Sequence, residues 1–371
     1  MRFVMAKILV TGASGFIGFR LTRVLLNQGH DVSCLVRKSS RLDRLAGLPV
    51  RRADGDVTDA ESLRRVMPGY DAVYHLAGLV KAIHVQQFYQ VNCQGVANVA
   101  RACAAQTTPP ILLVVSSLAA MGPSSSQRPR TECDPPTPVS HYGRSKLAGE
   151  QAARQWAKDV PITILRPPVV FGECDPATYE IFQPIARWGV HVVPSWRTHR
   201  ISLIHADDLL RAMILAVERG KRILCEPANA DAVAQGCYFA SAERDLTYAE
   251  MGRMMAAALG RCRTCVVRMG PILVWAFGLI ATALSQLRGQ AWYFNLDKAR
   301  EARAGSWTCS GDAAARDLGF AVTASLEERL KQTARWYLEH GWLAVRDPVN
   351  NHSGSYHVPN VRGSRRPAST A

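Results

Sequence analysis

Short apolar runs recur through the first half of the chain, at residues 8–10, 31–36, 50–53, 72–76, 111–115 and 162–165. Each is of strand length, and the stretches between them carry apolar residues at helical spacing, as at 19–28. Alternation of this kind predicts an α/β fold, with a parallel sheet covered by helices on both faces. Past residue 172 the rhythm becomes irregular. A helix is expected at 209–218, a helix pair at 313–343, and a disordered basic tail of low apolar content at 346–371.

The first run is followed by Gly12, Gly15 and Gly18 at three-residue spacing, which reads as strand, tight turn, helix. In that context Gly12 lets the chain leave the strand sharply, Gly15 keeps no side chain in the way of phosphates, and Gly18 lets the helix pack against the strand. The free N–H groups of the helix start then face an anion. A glycine triplet is also a plain turn before a helix; the strand before it and the second strand soon after favour a dinucleotide pyrophosphate. At the end of the second run, where a carboxylate would hold the ribose of NAD, the chain has Arg37 and Lys38, with Arg41 close behind. Cations there suit a 2′-phosphate, so NADP(H) is the preferred cofactor and NAD(H) the alternative; a solvated basic loop is the bland reading.

Ser116 and Ser117 close the fifth run, at the strand end where open α/β sheets place ligands. Tyr142 and Lys146 lie four apart on a predicted helix and share a face. A free phenol ionises at about pH 10, and a nearby ammonium lowers that value. Lys146 is expected to do this for Tyr142, so that the phenol can exchange a proton with a substrate oxygen.

TGASGFIG at 11–18, HLAG at 75–78, VVSS at 114–117, YGRSK at 142–146 and RPPVVFG at 166–172 together resemble the extended short-chain dehydrogenase/reductases, the NAD-dependent epimerase/dehydratase superfamily. The match runs from about residue 6 to 343. An apolar segment at 269–284 followed by WYFNLDKAREA and DLGF is similar to the 3β-hydroxysteroid dehydrogenase and dihydroflavonol 4-reductase-like branch. The resemblance implies a Rossmann-type doubly wound parallel sheet with a smaller C-terminal substrate lobe: a dinucleotide-binding core over 1–172, and a lobe over 173–345 interleaved with core segments returning at about 201–225. It places Ser14, Phe16 and Ile17 with the three glycines at the pyrophosphate, Asp56 and Val57 at the adenine, and Leu76, Ala77 and Gly78 where the cofactor crosses the sheet edge. It assigns Ser117, Tyr142 and Lys146 the catalytic roles, Lys146 the nicotinamide ribose as well, and Pro167 and Val169 the face of the nicotinamide. Asn92 and His205 are implied to be structural, Asp208 lies with His205 in the stretch that returns to the sheet before the helix at 209–218, and no metal is expected.

The formal charge of +15 over 371 residues suits anionic partners, such as a phosphorylated cofactor or a membrane surface. Nucleic acid is not expected, because the arginines are spread along the chain without a recognition motif. Ten scattered cysteines form no framework, and Cys262 and Cys265 make a single C-x-x-C without a partner pair, so reduced thiols and a cytoplasmic setting are expected. No signal peptide is read at the N-terminus. Residues 269–284 carry no charge and are flanked by Arg261, Arg263, Arg268 and Arg288. That is short of the roughly twenty residues of a membrane span. It fits an interfacial helix in peripheral membrane contact, or a helix buried in the lobe or in a homodimer.

The expected activity is hydride transfer between NADP(H) and a carbonyl or alcohol on a small apolar molecule that is sterol-, polyprenoid- or flavonoid-like. A nucleotide-sugar epimerase or dehydratase with tightly held NAD would use the same Ser, Tyr and Lys. A cofactor-sensing scaffold without turnover is the third reading, and the intact Tyr142 and Lys146 weigh against it.

Overall fold

The computed structural model describes residues 5–125, 128–292 and 294–344; the tail expected at 346–371 lies outside the described residues. Seven strands form the central sheet: β1 (Lys7–Thr11), β2 (Asp31–Val36), β3 (Arg51–Asp54), β4 (Ala72–His75), β5 (Ile111–Val115), β6 (Ile162–Arg166) and β7 (Cys237–Phe239). Their order is β7-β6-β5-β4-β1-β2-β3, and every pairing is parallel. Leu9 of β1 stands opposite Ser33 of β2 on one side and Val73 of β4 on the other. The strand order reverses between β1 and β4, which opens a crevice at their carboxyl ends.

Burial on both faces explains why the strands read as unbroken apolar runs rather than alternating ones. On one face Leu21 and Leu25 of the Phe16–Asn27 helix, with Leu209 and Met213 of the Ala206–Arg219 helix, pack on Ile8, Val10 and Val32. On the other, Val96 and Val99 of Gly95–Ala104 and Ala153 of the His141–Arg154 helix pack on Leu9, Leu112 and Ile164. The strands expected at 31–36 and 111–115 match to the residue; those at 72–76 and 162–165 differ by one residue at one end, and those at 8–10 and 50–53 by one residue at each end. The helix expected at 19–28 begins earlier, at Phe16. Strand β7 was not expected. Its three residues carry no periodicity, and they add to the sheet beside β6 after the intervening Ala206–Arg219 helix.

Beyond the sheet, Phe182 and Ile185 of the Pro176–Trp188 helix, Met251 and Met255 of Tyr248–Ala258, and Leu330 and Tyr337 of Leu326–Glu339 form a separate apolar cluster. A parallel pair, Val190–Val193 with Cys265–Arg268, leads into the apolar segment. That segment is a helix, Pro271–Arg288, with proline in its first turn and Gly289 in the left-handed conformation at its end. Only Val274, Gly278, Ala281 and Ser285 are buried, in one narrow stripe. Ile272, Leu273, Phe277, Leu279, Ile280 and Leu287 are each more than half exposed. Of the readings open to this segment, a helix buried inside the lobe is the one this exposure contradicts. Among the described residues it is the one helix long and apolar enough to cross a membrane, by length and composition. All ten cysteines are free.

One close approach ties the fold to the site. A Cβ at Gly149, on the His141–Arg154 helix, would stand 2.1 Å from the carbonyl oxygen of Asn92. There the chain makes a widened π-type turn, Gln90–Gln94, between two α-helical stretches. Glycine is what lets the two backbones touch.

Candidate active site

The turn after β1 is built by contact rather than by space. Gly12 has φ +71°, and a Cβ there would lie 2.8 Å from the Ala77 nitrogen; one at Gly18 would lie 2.2 Å from the Gly12 oxygen. The Phe16–Asn27 helix starts from Gly15 with no side-chain cap and no acidic residue in its first turn. Its N–H groups and the positive end of its dipole are left for an anion, which fits a pyrophosphate. Ser14, Phe16 and Ile17 belong to this same turn and helix start. The Thr11 hydroxyl accepts from the Ala77 N–H at 3.1 Å and lies 2.8 Å from His75 Nδ1, joining β1 to β4 where the crevice opens. Burial, with a smaller contribution from Lys146, pushes His75 down to about 3.

Further along the same edge, Arg37 and Lys38 follow β2 and are exposed, as is Arg41. The Arg37 N–H donates to Ser40 Oγ at 2.9 Å, shaping the loop. Asp56 is half-buried beyond β3, and one of its oxygens accepts from both the N–H and the hydroxyl of Thr58. Val57 beside it is buried. Leu76 and Ala77 are half-buried after β4, and a Cβ on Gly78 would meet Asn92 Oδ1 at 3.1 Å and Lys146 Nζ at 3.3 Å. The absence of that Cβ keeps the crevice open beside the lysine.

Ser117, Tyr142 and Lys146 come together at the carboxyl end of β5. Ser117 caps a short turn, its oxygen accepting from the Ala119 N–H, and its hydroxyl sits near enough to the Tyr142 phenol to favour the phenolate. Tyr142 and Lys146 sit one turn apart on the His141–Arg154 helix, and both are buried. The Lys146 ammonium donates to the Val115 carbonyl at 2.7 Å. Burial lowers it to about 8, against the pull of Glu150. Asn92 braces the site: its amide donates to the Leu79 carbonyl and to Ser145 Oγ, and its oxygen accepts from the Leu79 N–H. Pro167, buried after β6, accepts from the Leu118 N–H at 2.9 Å, and Val169 is 43% exposed beside it.

The surroundings of the phenol differ from the expectation. Burial raises Tyr142 above its ordinary value, and the cation that opposes this most is Lys298, with the Ser117 hydroxyl second. Lys298 lies on the lobe helix Leu296–Arg303, its ammonium 5.0 Å from the centre of the Tyr142 ring. On the same helix Asp297 accepts from the N–H groups of His141 and Tyr142, and Glu301 from the Ser140 hydroxyl. Sequence reasoning missed these three residues; the one available signal was the motif WYFNLDKAREA, which names neighbours along the chain and not across it.

His205 is buried at the start of the Ala206–Arg219 helix, and Asp208 accepts a two-pronged contact from Arg329. Among the described residues, Glu173, His205 and Asp207 are the one group close enough to hold a metal ion, and the Arg20 guanidinium reaches Glu173 at 2.9 Å and Asp207 at 2.5 Å. The cluster is therefore closed by a fixed cation.

His75 carries a measurable consequence. The unfolded side chain titrates near 6.5 and the folded one at about 3, so between these values the unfolded chain binds the extra proton. Stability must fall as pH drops through that window, by at most ~1.4 kcal/mol per pH unit from this residue. Urea unfolding of His75→Gln between pH 4 and 6.5 is expected to show a slope shallower by that amount; equal slopes in the two proteins would refute the assignment.

Comparison with known proteins gives the family. The sequence model of the NAD dependent epimerase/dehydratase family matches residues 8–226. The chain is 31% identical to the ceramide reductase of Caulobacter vibrioides over 337 residues, which is 90% of this chain and 95% of that protein. It is 23% identical to a 3 beta-hydroxysteroid dehydrogenase/Delta 5-->4-isomerase of Mycobacterium tuberculosis, over 90% of this chain and 91% of that one. Among solved structures, the UDP-glucose 4-epimerase of Thermotoga maritima matches with TM-score 0.71 and 20% identity, covering 90% of this chain and 99% of that one. At that identity the likeness speaks for the fold alone. The chain is an NAD(P)-dependent enzyme of the NAD dependent epimerase/dehydratase family, the extended short-chain dehydrogenase/reductases.

Proposed function

We propose that this protein passes hydride between NADP(H) and a carbonyl or alcohol on an apolar, lipid-like molecule. The observation that carries the reading is the buried pair Tyr142 and Lys146 on one helix, beside Ser117 at the carboxyl edge of the sheet and across the crevice from the uncapped helix start. When bound, the nicotinamide supplies or accepts the hydride. Ser117 holds the substrate oxygen, which becomes alkoxide-like as the carbon is reduced, and Tyr142 gives that oxygen its proton. Lys146 is assigned the nicotinamide ribose, Asp56 and Val57 the adenine, and Pro167 and Val169 the nicotinamide face. Arg37 and Lys38 are assigned the 2′-phosphate; their exposure at the end of β2, with no carboxylate between Val36 and Ser40, supports NADP over NAD.

The substrate class rests on two supports: similarity along most of the chain to a protein named for ceramide, and the broad apolar face of the Pro271–Arg288 helix. That face is assigned to an anionic lipid surface. Arg261, Arg263, Arg268 and Arg288 flank it, and the exposed Trp196 lies against Gly270, the residue before the helix, with its carbonyl accepting from Arg268 at 2.6 Å. Aromatic and basic residues around an apolar helix face match the chemistry of a headgroup layer.

With NADPH and a panel in mixed micelles, a lipid ketone is expected to be reduced. The panel holds a ceramide whose secondary alcohol has been oxidised to the ketone, a steroid ketone, and UDP-glucose. Tyr142→Phe should lower the rate by about 100-fold or more, with NADPH affinity retained. Turnover unaffected by that change, or conversion of UDP-glucose alone, would overturn the reading. In flotation with phosphatidylglycerol vesicles the protein should rise with the lipid at low salt and less so at high salt, and a triple Ile272→Ser, Leu273→Ser, Phe277→Ser variant should stay behind. No flotation, with a dimer that the triple variant dissolves, would assign the face to a second copy instead.

A further inference from the structure

Spacing along the helix singles out Lys146 as the cation for Tyr142, yet the Lys146 ammonium is engaged by the Val115 carbonyl. The ammonium that faces the phenol ring belongs to the lobe. Lys298 Nζ lies 5.0 Å from the ring centre and is held there by Glu301 Oε2 at 2.6 Å. The clamp is anchored in turn, because Glu301 Oε1 accepts from Ser140 Oγ at 2.6 Å, and Ser140 caps the helix that carries Tyr142. The Trp307 indole donates to the Glu301 carbonyl at 2.9 Å, fixing the end of the lobe helix.

We propose that Lys298 is a positioning residue for proton transfer: clamped by Glu301 over the Tyr142 ring, it favours the phenolate and makes the acidity of the phenol depend on the docked lobe helix. This rests on Tyr142 as the proton donor of the proposed reaction. The physical basis is direct. A cation over an aromatic face is attracted by the ring quadrupole, and the attraction grows when the ring gains the full negative charge of a phenolate. Tyr142 is 8% exposed, so water screens little of it.

The other groups around the ring do not supply this charge. From its own helix comes Lys146, and from the end of β5 the neutral Ser117 hydroxyl. Phe88 packs its ring at 6.1 Å. From the lobe helix, Asp297 is spent on the N–H groups of His141 and Tyr142 and lies 3.3 Å from Arg300. Glu301 alone opposes Lys298, and its two oxygens point to Lys298 and Ser140. Burial works against the Lys298 ammonium, but Glu301 and then the Tyr142 phenol hold it above its ordinary value, so it stays charged through the working range.

The test titrates Tyr142 itself, by NMR of the full chain labelled with ring-carbon-13 tyrosine and saturated with NADP+; Tyr142→Phe identifies the resonance. Lys298→Met is expected to raise the phenol pKa by about one to two units, Lys298→Arg to restore most of the shift, and Glu301→Gln to lower the value, since glutamine removes the charge while its oxygen can still accept from Lys298 and its NH2 donate to Ser140 Oγ. A purely structural clamp would not give opposite signs for its two halves. An unchanged phenol in Lys298→Met, or a raised one in Glu301→Gln, overturns the proposal; should Lys298→Met fail to fold, Lys298→Gln, neutral and able to hydrogen-bond Glu301, takes its place with the same expected rise. Because the titration needs no turnover, it fails separately from the loss of activity in Tyr142→Phe that tests the function.

Discussion

The amino end of the helix that carries Tyr142 and Lys146 is satisfied by its own Ser140 and by Asp297 from a segment distant in sequence. A helix start leaves N–H groups unpaired and concentrates the positive end of its dipole there. In this protein Ser140 takes the Gly143 N–H, Asp297 takes those of His141 and Tyr142, and Glu301 takes the Ser140 hydroxyl. Hydrogen bonds to charged groups contribute about 1.5–3 kcal/mol each. The Leu296–Arg303 helix is therefore bound to the helix that carries Tyr142 and Lys146 by the same hydrogen bonds that finish that helix.

The opposite side of the helix is held by backbone contact and a buried ion pair. Gly149 lets the helix touch the Asn92 carbonyl, and the widened turn there aims the Asn92 amide at Leu79 and Ser145. One turn beyond Lys146, Glu150 and Arg166 form a two-pronged pair at 3.0 and 2.6 Å with both side chains buried. Removing one member of such a pair costs about 3–5 kcal/mol, because the other charge is stranded. Glu150 also sustains the charge on Lys146 against its burial. Structure and electrostatics thus share residues, and a change at Glu150 would alter both.

Much of this was legible along the chain. The strands of the sheet up to β6, the glycine turn and the Tyr142 and Lys146 pair are local patterns, where side-chain period and spacing decide the outcome. What was hidden depends on contacts between distant segments. Strand β7 is three residues long, and it is a strand because β6 has an open edge beside it. Lys298 looks like an ordinary exposed residue of a short charged helix until Glu301 and Tyr142 are placed around it. The Pro271–Arg288 helix was legible as apolar, but only packing shows that a narrow stripe of it is buried and the broad face is not. The assignments of the cofactor residues follow from motif resemblance, and the structure adds where those residues lie along one edge of the sheet.

The central claim is an enzyme that exchanges NADP(H) at each turnover with a lipid-like substrate, rather than one that recycles a retained NAD on a nucleotide sugar. The most direct measurement is to purify the protein without added nucleotide, denature it, identify what is released, and titrate the empty protein with NADPH and NADH. An enzyme of this kind is expected to come out empty and to bind NADPH at least about tenfold more tightly, a difference of about 1.4 kcal/mol attributed to Arg37 and Lys38 on the 2′-phosphate. Release of stoichiometric NAD would contradict the claim, and would turn the same Ser117, Tyr142 and Lys146 to epimerase chemistry.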